Sequence, residues 1–178
     1  MKRKLHKQEM IDIVKGATFL GAGGGGSPKV ALPIAEQIRE ATLVKPEDIS
    51  DNSNVVVMAG VGSPVVSVSV GYRGELIPAL ERFEEVVGKR IDYIVPLETG
   101  AANILKPLHA GAVKGLPVVD GDGAGRAVPE LQETMFYIHG IPITPLSVAD
   151  SEGNSAILYP VDAYMGEKLA RAVTTVFG

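Results

Sequence analysis

Val118-Val119-Asp120-Gly121-Asp122-Gly123-Ala124-Gly125-Arg126-Ala127-Val128-Pro129-Glu130 is the stretch whose reading decides the fold. Two β-branched residues run into two aspartates separated by one glycine. A short apolar strand that ends in acidic residues and glycines sets its carboxylates at the strand's carboxyl edge, where open α/β sheets place ligand crevices. Asp and Gly also favour turns for purely conformational reasons. Arg126 and Glu130 are more ionisable groups than a plain turn requires, and they favour a pocket.

Working outward, the same strand-then-glycine pattern recurs. Residues 55–59 (Val-Val-Val-Met-Ala) are an unbroken apolar run of strand length, as expected of a strand buried on both faces. The run leaves through Gly60-Val61-Gly62-Ser63-Pro64. Residues 91–97 predict the next strand, which leads into Glu98-Thr99-Gly100-Ala101-Ala102-Asn103. Helices are marked by apolar residues at helical spacing: Met10, Ile13, Val14, Ala17 and Leu20; Leu76, Leu80, Phe83 and Val87, closed by Gly88; and Ala101, Leu105, Leu108 and Ala112, ending near Gly115. Ser27-Pro28 starts a helix expected to reach Glu40, with a strand at 42–45 after it. Val66, Val68 and Val70 alternate with serines as a short strand. Pro129 starts a helix running through Tyr137, and strands at 144–149 and 156–159 form a hairpin. A last helix over 162–177 carries Met165, Leu169, Val173 and Val176 on one face.

This alternation predicts a single α/β domain over residues 1–178, a three-layer α/β/α sandwich with a mostly parallel sheet. Residues 55–59 and 91–97 are expected among its interior strands, and the C-terminal antiparallel hairpin as an added edge. At 178 residues, 46% apolar and 21% charged, the composition is that of an ordinary globular domain. A net charge of -4 without a basic cluster argues against nucleic-acid binding. Lys2, Arg3, Lys4 and Lys7 precede no apolar segment of signal type, and Gln8, Glu9, Asp12 and Lys15 interrupt residues 8–20. Neither a signal peptide nor a membrane span is expected. The absence of cysteine removes disulfides, thiolate nucleophiles and Cys-ligated metals, and makes the cytoplasm the default location.

Parallel topology brings four segments towards one end of the sheet: residues 21–27, 60–64, 98–103 and 120–130. Glu98, Asp120, Asp122 and Glu130 are therefore the candidate acid–base groups, since paired carboxylates with separated pKa values supply a base and an acid. Such a pocket is expected to raise the pKa of at least one of them. Arg126 could clamp a substrate carboxylate or steady developing negative charge. Asn103 and the amides of Gly23, Gly24, Gly25 and Gly26 complete the candidate substrate contacts. The same carboxylates could instead hold a divalent cation, or Arg126 could pair with Glu130 or Asp122 only to tie down the loop. Gly21, Gly23 and Gly26 satisfy G-x-G-x-x-G, but a helix rather than a strand precedes them, which argues against a dinucleotide site. His6 falls in an expected frayed terminus, and His109 and His139 fall on helices, with no zinc-site spacing. Ser27, Ser63 and Ser67 lie near the expected mouth without a G-x-S-x-G elbow.

Five motifs in order carry a resemblance: residues 20–26 (LGAGGGG), 59–64 (AGVGSP), 95–100 (VPLETG), 119–132 (VDGDGAGRAVPELQ) and 146–150 (LSVAD). Together they resemble the N-terminal domain of the S-methyl thiohydantoin desulfurase family over essentially the whole chain. The resemblance implies a three-layer α/β/α domain and an activity that replaces a methylthio group with oxygen and releases methanethiol; no cofactor is expected apart from the divalent cation that the carboxylates could hold. It also implies association with hydantoinase and oxoprolinase subunits, and hence a small polar ring as ligand. Members of that family usually continue into a second, β-rich domain. An activity needing both halves is then expected to require a partner chain or a homo-oligomer. A non-catalytic binding module and an accessory subunit of a hydantoinase-type complex are the competing expectations.

Overall fold

The computed structural model describes residues 2–62 and 68–177. Its main sheet contains β1 (Arg3–Leu5), β2 (Ala41–Val44), β3 (Val55–Met58), β4 (Tyr93–Pro96) and β5 (Val118–Val119). Their spatial order is β1-β2-β5-β4-β3. β2, β5, β4 and β3 run parallel, with Leu43 opposite Val118, Ile94 also opposite Val118, and Val57 opposite Val95. β1 is antiparallel to β2. β6 (Leu146–Ala149) and β7 (Ser155–Leu158) form a separate antiparallel pair. A mostly parallel sheet flanked by helices, with a C-terminal antiparallel hairpin, is the α/β fold that the alternation predicts.

The core follows from three helices rich in small residues. Lys7–Leu20 buries Met10, Val14 and Ala17, Pro28–Gln37 buries Ala31, Ile34 and Ala35, and Ala101–Lys114 buries Ala101, Ala102, Leu105 and Leu108. Such spacing lines up one apolar stripe per helix. These stripes pack on one another, and Ala101–Lys114 lies over β2, β4 and β5, against the buried Ile94 and Val118. Helices Leu76–Val87 and Ala163–Phe177 pack against the β6–β7 hairpin. Gly88 and Gly115, at φ +65 and +70, close Leu76–Val87 and Ala101–Lys114 in the left-handed conformation that glycine adopts without a Cβ penalty.

Several expectations are corrected. Among the described residues β3 pairs only with β4, so the apolar run at 55–59 forms an edge strand with Val55 42% exposed. A continuous apolar run reports hydrophobicity on both faces and says nothing about the number of neighbours. The antiparallel edge comes from β1, not from the hairpin, which stands apart. The N-terminus is therefore tied down, and the His6 amide donates to Glu9 Oε2 at 2.7 Å to start the first helix. The helix expected from Pro129 to Tyr137 is a 3-10 turn at Leu131–Glu133 and one helical turn at Met135–Ile138. Extended Thr134 separates them, its hydroxyl donating to the Leu131 carbonyl at 2.8 Å. Residues 68–70 are helical rather than extended. Val66, Ser63, Pro64 and Ser67 lie outside the described residues.

The last helix is rotated from its apolar stripe. Ala163, Gly166, Glu167 and Ala170 face inward, whereas Met165 is 41% and Val176 83% exposed. Glu167 takes the inner position because the neighbouring backbone satisfies it: Oε2 accepts from the Leu131 amide at 3.1 Å. Among the described residues no helix is long and apolar enough to cross a membrane.

Candidate functional site

β4 and β5 end side by side, and their exit loops are tied together by backbone. The Gly123 amide donates to the Leu97 carbonyl at 2.9 Å, and the Met135 amide donates to the Gly123 carbonyl at 2.7 Å. A Cβ at Gly123 would lie 2.7 Å from the Leu97 oxygen and collide with the Phe136 ring. Glycine there is a requirement of close approach. It is this approach that brings Asp122 to Glu98.

Glu98 is 6% exposed. Its Oε1 accepts from Asn103 Nδ2 and its Oε2 from the Val128 amide. Beside it, Thr99 Oγ1 donates to Asp122 Oδ2 at 2.5 Å, while the Ala124 and Gly125 amides donate to Oδ1 at 2.7 and 2.5 Å. Burial pushes the Glu98 carboxyl above the usual carboxylate range, and the Asp122 charge adds to the rise; the bonds from Val128 and Asn103 oppose it. A buried carboxyl with raised proton affinity, next to a second carboxylate, can hold a proton and deliver it to a leaving group.

The glycine run lies at the same end of the sheet. The Gly25 carbonyl accepts from the Ala102 and Asn103 amides at 3.0 and 3.1 Å, capping helix Ala101–Lys114 without a side chain. Gly25 and Gly100 touch backbone to backbone: a Cβ on Gly100 would lie 2.8 Å from the Gly25 carbonyl carbon and oxygen. Gly24 sits against Ala127 and Gly26 against Ala102, and the Gly24 amide is bonded to the Gly21 carbonyl at 2.8 Å. The run thus supplies an acceptor and a close fit for the neighbouring loops.

Glu98, Asn103 and Asp122 therefore come together, with Gly24, Gly25 and Gly26 packed around the start of the following helix. Asp120, Arg126 and Glu130 are exposed. Arg126 Nε donates to the Ala127 carbonyl at 3.2 Å, and Glu130 accepts from Gln132, so the Arg126–Glu130 tie is not formed. Sequence reasoning misses Thr99, whose only signal is its position one residue past the strand-exit glutamate. It also misses the clamp Glu167–Arg171, an i,i+4 pair at 2.6 Å. Arg171 additionally donates to the Pro129 carbonyl at 2.9 Å, anchoring the far end of the acidic loop to the last helix.

Among the described residues no three His, Cys, Asp or Glu side chains gather in a metal-holding cluster. Protein donors already engage all four oxygens of Glu98 and Asp122. Two surface depressions lie elsewhere: about 430 Å³ beside Glu81, Glu84, Arg90 and Lys114, and about 210 Å³ between Tyr137, Ile141, Pro160 and Val161.

A family model described as the S-Me-THD-like, N-terminal domain matches residues 8–160. The crystal structure of a protein from Chromobacterium violaceum is similar at 28% identity and a TM-score of 0.86, over 97% of this chain and 51% of that one. The chain thus spans about half the length of that relative. Comparison with curated proteins finds no match.

Proposed function

The chain belongs to the S-Me-THD-like, N-terminal domain family, and from that premise we propose that it is the α/β half of an enzyme processing hydantoin- or thiohydantoin-type rings. The reaction proposed is hydrolytic desulfurisation of an S-methyl thiohydantoin-like substrate. The observation that supports it best is Glu98, a buried carboxyl with raised proton affinity at the carboxyl edge of a parallel sheet. Water adds to the ring carbon bearing sulfur, losing a proton to a base. The ring nitrogen takes up that proton as the C=N bond becomes single. The C–S bond then breaks with sulfur taking a proton from Glu98, the added hydroxyl returns its proton to the Glu98 carboxylate, and methanethiol leaves a ring carbonyl behind. Asp120 suits the base, because its exposed side chain is not held by the loop amides that hold Asp122. Arg126 and Glu130 stand on the exposed rim, where a guanidinium suits a ring carboxylate.

A second domain or partner chain, or another copy, completes the site in this reading. Two observations favour it. The C. violaceum relative is about twice as long, and Tyr159, Val161 and Ile141 leave an apolar surface, with Val161 89% exposed. The same surface suits an accessory subunit of a hydantoinase-type complex, and the cytoplasm is the compartment proposed. Thiol release tests the reaction cleanly, because the chain contains no cysteine. The protein together with its completing half is expected to release methanethiol, and Glu98→Gln to lower the rate by about 10²-fold or more. Unchanged release in Glu98→Gln removes the acid role. No release from any S-methyl thiohydantoin, with the completing half present, removes the substrate class.

A further inference from the structure

A second polar cluster sits between the exit of β3 and helix Ala101–Lys114, and the carboxylate pair does not use it. Lys106 and His109 are three residues apart on that helix, close enough to share a face. Tyr72 touches both: its ring meets the His109 ring edge-on at 5.3 Å, and Lys106 Nζ lies 5.8 Å from its centroid. Tyr72 and His109 are each only 9% exposed, yet Tyr72 Oη and His109 Nδ1 have no hydrogen-bond partner among the described residues. The Leu76 amide faces the phenol outside hydrogen-bond geometry.

Lys106 is half-buried and forms no ion pair among the described residues. Glu75 is the carboxylate whose charge reaches it, but Glu75 accepts from the Arg73 amide at 3.2 Å instead. Gly60 leaves the space the ammonium occupies, since a Cβ there would collide with Nζ. Burial holds both the Lys106 ammonium and the His109 imidazolium below their ordinary ranges, with Glu75 opposing in part. Buried polar atoms are bonded in the great majority of cases, so two atoms without a partner among the described residues, beside a lysine without an ion pair among them, mark a place suited to another molecule.

We infer that Lys106, Tyr72 and His109 form a binding site for a small carboxylate. One ammonium balances one negative charge, whereas a phosphate dianion would bring a second, uncompensated charge next to Glu75. The phenol hydroxyl and the lysine are donors that two carboxylate oxygens can share, and His109 Nδ1 donates in the matching tautomer. The site uses none of the residues of the desulfurisation reading and stands whether or not that reading does.

Titration of the protein with acetate, phosphate and chloride at constant ionic strength tests it, observed by NMR of ¹³C-labelled lysine and tyrosine side chains. Acetate is expected to shift one lysine and one tyrosine signal saturably, those missing from Lys106→Met and Tyr72→Phe respectively. Its dissociation constant is expected to rise at least about tenfold in Lys106→Met and several-fold in Tyr72→Phe. Lys106→Gln serves in place of Lys106→Met if the latter does not fold. Shifts linear in acetate, acetate binding that survives loss of Lys106, or saturation by phosphate alone would each overturn the inference. A filled cluster of trapped waters would give the first of these results.

Discussion

The two polar clusters, one at the exit of β4 and one between the exit of β3 and helix Ala101–Lys114, are satisfied to opposite degrees. Around Glu98 and Asp122 all four carboxylate oxygens accept hydrogen bonds, three of the five donors being backbone amides. Around Lys106, two buried polar atoms have no partner among the described residues, and the lysine forms no ion pair with them. The first arrangement fastens loops to one another, so its side chains contribute to folding as well as to any chemistry. The second contributes nothing by its bonds, and its cost is justified by a ligand. Substitutions should therefore divide: stability falls at the satisfied cluster, and binding falls at the unsatisfied one.

The largest effect is expected where that fastening has no slack. Gly100→Ala drives a Cβ into the Gly25 backbone, and neither main chain can rotate out of the way. A loss of about 3 kcal/mol in denaturant unfolding is expected. A variant as stable as wild type would show that the glycine run is loosely held, and the contrast between the clusters would lose its rigid half.

Asp122→Asn comes next. The residue types of the loop alone suggest a functional aspartate whose replacement spares stability. Three donors to its carboxylate argue otherwise, since asparagine keeps these bonds only as weaker neutral ones, with its nitrogen turned to Thr99 Oγ1. A loss of about 1–3 kcal/mol is expected. An unchanged unfolding midpoint with abolished ligand binding would restore the simpler reading.

What was legible in the chain follows from how far each signal reaches. Helix ends at Gly88 and Gly115 were readable because left-handed caps are local. The meeting of the 98–103 and 120–130 segments was readable because parallel strands deliver their exits to one end. The edge position of β3 was not, because pairing partners depend on chain order in space. Nor was the inward turn of Glu167, which depends on the Leu131 amide 36 residues away. Tyr72 and His109 look like ordinary residues in sequence, and only their missing partners single them out. Arg126, conspicuous in sequence, is exposed and bound only to its neighbour's carbonyl.

Glu98→Gln sharpens the satisfied half by pH rather than by magnitude. Burial raises this carboxyl above its ordinary value of 4.5, so the folded state holds the proton more tightly than the unfolded state. The stabilisation from this group is then fully present below its ordinary value, and is lost as pH rises through the raised one. Wild-type stability measured relative to Glu98→Gln is expected to decline over that window. A relative stability that increases with pH would mean the bonds from Asn103 and Val128 outweigh burial.

Arg126→Ala should move stability least and is the most direct separation of fold from function. The side chain is exposed and donates only to the Ala127 carbonyl at 3.2 Å, so its removal should change unfolding by less than about 0.5 kcal/mol. If Arg126 holds a ring carboxylate at the rim, the same substitution weakens substrate binding, raising KM by about tenfold or more with little change in kcat. The satisfied cluster beneath predicts this separation: its bonds are complete without Arg126, so the fold does not register the loss. A fall in stability comparable to that of Asp122→Asn would make Arg126 part of the fastening. An unchanged KM with unchanged stability would leave substrate capture to another part of the site.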